Sequence, residues 1–121
     1  MKNGDYIKIS RKMLEWEHYG DAYTKALFLH LLLIAAFREH VWNGITVKKG
    51  QCISSSRELS SALGISTKYV TQSIVKLRES GEISTERCFC GTLFTINNYA
   101  AYQDFREKQQ QGEIRTGSTD F

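Results

Sequence analysis

The residues able to do covalent or metal chemistry are few and scattered. Histidines stand at 18, 30 and 40 and cysteines at 52, 88 and 90. A nucleophile must sit beside a base in a tuned environment, and no histidine here has such a partner near it in sequence. Cys52, just before Ser54 to Ser56, reads as a strand end followed by a helix cap, and His30, inside an apolar run, reads as a hydrogen-bonded core histidine. Cys88 and Cys90 form a C-x-C pair that offers two soft ligands. Zinc normally takes four, usually with C-x-x-C spacing, so two strand residues on one face are the expected reading. The chain has no G-x-G-x-x-G, phosphate-binding loop or metal-ligand helix. It is expected not to be an enzyme and to carry no cofactor or metal.

Recognition chemistry is better represented. From Ser66 to Ser80 an apolar stripe of Val70, Ile74 and Leu77 recurs at helical spacing, which leaves Thr67, Lys68, Thr71, Gln72, Val75 and Arg78 on the opposite face, with Tyr69 at its flank. Lys68 and Gln72 have the donors and acceptors for base edges or phosphates. Thr67 and Thr71 can bond a phosphate or touch a thymine methyl. The competing reading is an ordinary solvated helix face.

The elements that must hold this face follow from periodicity and punctuation. Asp5 to Ser10 alternates and predicts a short strand, and Arg11 to Tyr19 a short irregular helix ended by Gly20. Asp21 is a suitable N-cap for a long helix to about Glu39, apolar nearly all round and therefore central, with Ala26, Leu27, Leu29, Leu31, Leu33, Ile34 and Phe37 buried. Trp42 to Ser54 reads as a hairpin turning at Lys49-Gly50. Ser55 and Glu58 form a capping box for a short helix ending at Gly64. Ser66 then caps the helix Thr67 to Ser80, stopped by Gly81. Two strand-like runs, Ile83 to Phe89 and Thr92 to Ile96, meet around Gly91 as a second hairpin.

A short capped helix, a tight turn, a longer capped helix, a Gly stop and a β-hairpin, in that order, predict a winged helix-turn-helix. The fold class is α+β, mainly helical, with an N-terminal helical extension and small β-hairpins. In that arrangement helix 67–80 enters a DNA groove and hairpin 82–97 reaches an adjacent backbone, where Arg87, near its tip, is the candidate contact. The candidate DNA-binding residues are Ser66, Thr67, Lys68, Thr71, Gln72, Arg78 and Arg87. Glu82 and Glu86 dilute the charge of this hairpin. Net charge is only +3, but residues 41 to 80 carry six basic and two acidic groups, a local excess placed where a phosphate-facing surface is expected.

The segments DYIKISRKML, KKGQCISSSRELSSALGIS, VTQSIVKLRESGEIS and FTINNYAAYQ, in this order, resemble the N-terminal winged-helix domains of phage replisome organisers and DnaD-like primosomal proteins. The resemblance spans residues 5 to 103. It implies a role in phage or bacterial DNA replication or regulation, with replication proteins as partners and no catalytic residue to carry over. It also implies a following partner domain and self-association through Tyr6 to Trp16, which equally reads as a cover for the core.

At 121 residues and 41% apolar content, one domain is expected over 1–104, with 105–121 as a polar tail or linker. The longest apolar run, Ala26 to Phe37, contains His30 and is too short for a membrane span, and no secretion signal opens the chain, so the expected location is cytoplasmic and away from membranes. The alternatives are a protein-interaction or oligomerisation module on the same fold and a transcriptional regulator.

Overall fold

A computed structural model describes residues 6–99. They form a small α+β fold whose order is a 3-10 helix (Arg11–Glu15), α1 (Ala22–Ile34), β1 (His40–Trp42), β2 (Ile45–Val47), β3 (Gln51–Ser54), α2 (Ser56–Leu63), α3 (Thr67–Glu79), β4 (Ile83–Cys88) and β5 (Gly91–Ile96). Two antiparallel sheets are present, β1-β2 and the three-stranded β3-β5-β4. No helix among the described residues is long and apolar enough to cross a membrane.

The N-terminal stretch differs from its alternation. Tyr6 to Ser10 forms no strand, and Asp5 lies outside the described residues. Ser10 caps the 3-10 helix through Lys12 N–H. Trp16 then packs at 5.1 Å from Phe28, and its indole N–H donates to Glu82 Oε2 at 2.8 Å. Ile7, Met13 and Trp16 thus cover the core while Tyr6, Ile9 and Leu14 stay exposed, so only part of the segment serves as a cover.

Asp21 caps α1 by accepting from Thr24 N–H. One face of the helix, Leu27, Phe28, Leu31 and Leu32, is buried at the centre of the core. The expected helix to Glu39, buried on most sides, is corrected in both respects. It ends at Ile34, and Leu33, Ile34 and Phe37 are exposed. No Gly or Pro stops it. Ala36 N–H donates to the Gln51 carbonyl while Gly50 N–H donates to the Ala36 carbonyl, so the chain leaves the helix to be stitched to the start of β3. His30 is half-buried rather than a core histidine.

The first hairpin also differs from expectation. Its turn is Asn43-Gly44, with φ of 51° and 78°, which suits the backbone twist of a tight two-residue hairpin; Lys49-Gly50 is a turn between strands that do not pair. The partner of β3 is β5, with Cys52 opposite Phe94 and Ile53 opposite Leu93. The second hairpin is β4-β5, closed at Phe89-Cys90 with Cys88 opposite Gly91. Leu59, Val70, Leu77, Ile83, Phe94, Ile96 and Tyr99 complete the core.

Candidate nucleic-acid interface

The candidate face depends on how α2 and α3 are set. Ser55 Oγ accepts from Glu58 N–H at 3.1 Å, satisfying one orphan donor of the first turn. The Glu58 carboxylate accepts from the Ser54 hydroxyl at 3.2 Å, which ties the cap to the last residue of β3. α2 ends at Gly64 in the left-handed conformation (φ 73°), and Ser60 Oγ donates to the Ile65 carbonyl across the turn. The angle between the helices is therefore held by backbone and side chain together.

α3 starts after Ser66, whose backbone is that of an N-cap but whose hydroxyl makes no cap bond, contrary to the cap expected of it. The helix closes at Gly81 (φ 84°), where Glu82 N–H donates to the Leu77 carbonyl and Gly81 N–H to the Arg78 carbonyl. Val70, Ser73 and Leu77 are its buried residues. The stripe is rotated slightly from the expected one: Ile74 is half-buried at the edge of the core, and the small Ser73 faces α1.

Ser73 has a reason to be inside. Thr24 on α1 is fully buried, and its Oγ1 lies 2.9 Å from Asp21 Oδ2 and 3.1 Å from Ser73 Oγ. A hydroxyl has one proton, so Thr24 donates to the carboxylate and Ser73 donates to Thr24. Lys76 completes the network by donating to Asp21 Oδ2. This ammonium bond, then burial acting in the opposite sense, then the Thr24 bonds set the Asp21 carboxyl, whose pKa falls from 3.8 to about 2.

With that face turned inward, Ser66, Thr67, Lys68, Thr71, Gln72 and Arg78 are all exposed, as is Arg87 one residue before the end of β4, opposite Thr92. No acidic side chain among the described residues pairs with Lys68, Arg78 or Arg87, whereas Lys76 is taken up by Asp21. Sequence spacing missed two features. Tyr23, in the first turn of α1, stacks on Tyr69 with ring centroids 4.7 Å apart and planes 17° apart, both rings about two-fifths exposed, and Lys68 Nζ lies 5.9 Å from the Tyr69 ring. Positions 23 and 69 are joined only by a tertiary contact, so nothing local signals the stack, whereas Lys68 and Tyr69 are neighbours in the chain.

Among the described residues the histidines and cysteines assemble no metal-binding cluster. His18 Nε2 lies 3.2 Å from Glu17 Oε2 but makes no hydrogen bond, and exposed His40 has its Nδ1 3.4 Å from the Arg38 carbonyl. Burial pushes the Cys52 thiol up to about 12. Cys88 and Cys90 are not two positions on one strand face. Cys88 ends β4 and Cys90 lies in the turn, with their sulfurs 3.8 Å apart. Among the described residues no group of three or more potential metal ligands is present. The chain matches no family model, no curated protein and no solved structure.

Proposed function

We propose that this chain is a winged helix-turn-helix module that binds duplex DNA, with α3 in a groove and the β4-β5 hairpin as the wing, and that it does no catalysis. The observation that carries the reading is the presentation of α3. One face is locked to α1 by Val70, Ser73, Leu77 and Lys76, and the other offers Thr67, Lys68, Thr71 and Gln72 to solvent without acidic partners. The sheet order β3-β5-β4 supports it, because the strand before α2 is joined to the hairpin after α3 and fixes the wing relative to the helix pair. Ser66 makes no side-chain cap bond, which leaves the Thr67 and Lys68 N–H groups able to meet a phosphate, Tyr69 N–H being taken up by the Ser66 carbonyl. The resemblance to replisome organisers and DnaD-like proteins makes replication initiation the favoured setting, with transcriptional control as its alternative.

The test is a titration against random duplex and single-stranded DNA at two salt concentrations. Duplex preference with affinity falling steeply with salt supports the reading; salt-independent binding, or none, overturns it.

A protein-interaction module is the second reading, and it too has a specific support. Leu14, Leu33 and Val41 are each about two-thirds exposed, and an open groove of about 460 Å³ runs between the N-terminal segment and α1, lined by Ile9, Met13, Leu14 and Leu29. A second copy of the chain is the occupant proposed for it. Sedimentation of wild type and Leu14→Glu tests this: a dimer lost in the variant supports the reading, and a monomeric wild type removes it.

A further inference from the structure

The tip of the β4-β5 hairpin holds two thiols in contact. Cys88 is the last residue of β4, Phe89 and Cys90 form the turn, and Cys88 faces Gly91 across it. Residues two apart in a chain cannot be separated by more than about 7 Å, and folding that dipeptide into a turn brings their Cα atoms into the range a disulfide needs, about 4.4 to 6.8 Å. The sulfurs already touch at 3.8 Å. Both side chains are half-buried, and Phe89 between them is 81% exposed, so the turn projects into solvent. Cys52, in contrast, is buried in the core, and its high pKa removes it from thiolate chemistry near neutral pH.

From this geometry we infer that Cys88 and Cys90 are a modification site, a dithiol that reacts with a low-molecular-weight disulfide to form an intramolecular Cys88–Cys90 disulfide at the hairpin tip. The thiolate of one cysteine attacks the small disulfide RS–SR, forming a mixed disulfide and releasing RS⁻. The second cysteine, deprotonated, attacks the protein sulfur of that mixed disulfide, forming the Cys88–Cys90 bond and releasing the second RS⁻. The protein loses two protons and two electrons, and the small disulfide takes them up to become two thiols. Desolvation and contact with Cys88 raise the Cys90 pKa, so exchange accelerates as pH rises. The Asn43 side chain, from the turn of the β1-β2 hairpin, works the other way by favouring the Cys90 thiolate. The bond would cross-link the turn directly beside Arg87; any effect on DNA affinity rests on the function proposed above, but formation of the bond does not.

The full chain is incubated anaerobically with oxidised glutathione at pH 8, quenched with acid, denatured and alkylated, and then digested with trypsin without reduction. Cleavage after Arg87 leaves both cysteines in one peptide. The expected result is that peptide lighter by two hydrogens and unalkylated, with Cys52 alkylated. Two free thiols, two stable glutathione adducts, or covalent dimers of the chain would each overturn the inference. Cys90→Ser and Cys88→Ser are the companions. Each is expected to hold one lasting glutathione adduct on its remaining tip cysteine, and absence of adduct from both would show that the tip thiols do not exchange. DNA titration of the oxidised and reduced forms is read separately, so a protein that forms the disulfide but binds no DNA contradicts the proposed function alone.

Discussion

Lys76 Nζ rests on Asp21 Oδ2, tying the last turn of α3 to the N-cap of α1 across 55 positions of sequence. The same carboxylate accepts from Thr24, which in turn meets Ser73. One acidic residue therefore caps α1, satisfies a buried hydroxyl and anchors α3. The Asp21 pKa is about 2 in the fold against an ordinary 3.8. A folded value below the unfolded one means that the stabilisation is fully present above about pH 4 and is lost as pH falls through about 2. Lys76 is half exposed, so the ion pair itself contributes only about 0.2 to 1 kcal/mol, and loss of the carboxylate cap adds about 1 kcal/mol. Melting curves of wild type and Asp21→Ala from pH 7 to pH 2 should converge toward the acid end. Curves that keep a constant gap would show that the carboxylate charge is not what stabilises.

Packing of α3 gives a graded expectation. Leu77 is fully buried, Ile74 half-buried and Gln72 exposed. Leu77→Ala should cost about 2 to 5 kcal/mol, Ile74→Ala less than Leu77→Ala, and Gln72→Ala within about 0.5 kcal/mol of nothing. Thermal unfolding of the three orders them. Ile74→Ala as the most damaging would mean that α3 is rotated from the orientation described.

Gly50 and Gly44 both have positive φ, 85° and 78°, but only Gly50 is crowded. A Cβ there would lie 2.7 Å from the Tyr99 Cβ, whereas nothing stands within 4 Å at Gly44. Gly44→Ala should lose roughly the 1 to 2 kcal/mol of a left-handed alanine. Gly50→Ala should lose more, because the Tyr99 side chain must also move. Equal denaturant midpoints for the two variants would refute the close approach.

Local signals in the sequence carry far here, and pairing at a distance does not. The capping box at Ser55 and Glu58, the left-handed stop at Gly64 and the Gly81 cap depend on neighbours within a few residues, so residue type reveals them. The end of α1 is different. The run continues as Ala35, Ala36 and Phe37, and what ends it is a pair of hydrogen bonds to Gly50 and Gln51. The partnership of β3 with β5 is equally non-local, whereas Asn43-Gly44 is a local turn signal that competes with Lys49-Gly50 a few residues on. On the candidate face, exposure follows from helical spacing. The Tyr23–Tyr69 stack and the capture of Lys76 by Asp21 join separate elements and leave no periodic trace.

The proposal that α3 reads DNA is tested most directly by a salt series on Lys68→Ala/Gln72→Ala beside wild type, using duplex DNA and far-UV circular dichroism to verify the fold. Both side chains are exposed and neither packs in the core, so the variant should melt close to wild type. Lys68 would neutralise one phosphate, so its loss should lower the slope of log affinity against log salt by about 0.9 if it contacts the backbone; if it reads a base edge, its loss with Gln72 should cost about 1 to 3 kcal/mol per contact. Weaker duplex binding by a folded variant is the expected result. Unchanged affinity and unchanged slope in that folded variant would contradict α3 as the reading helix.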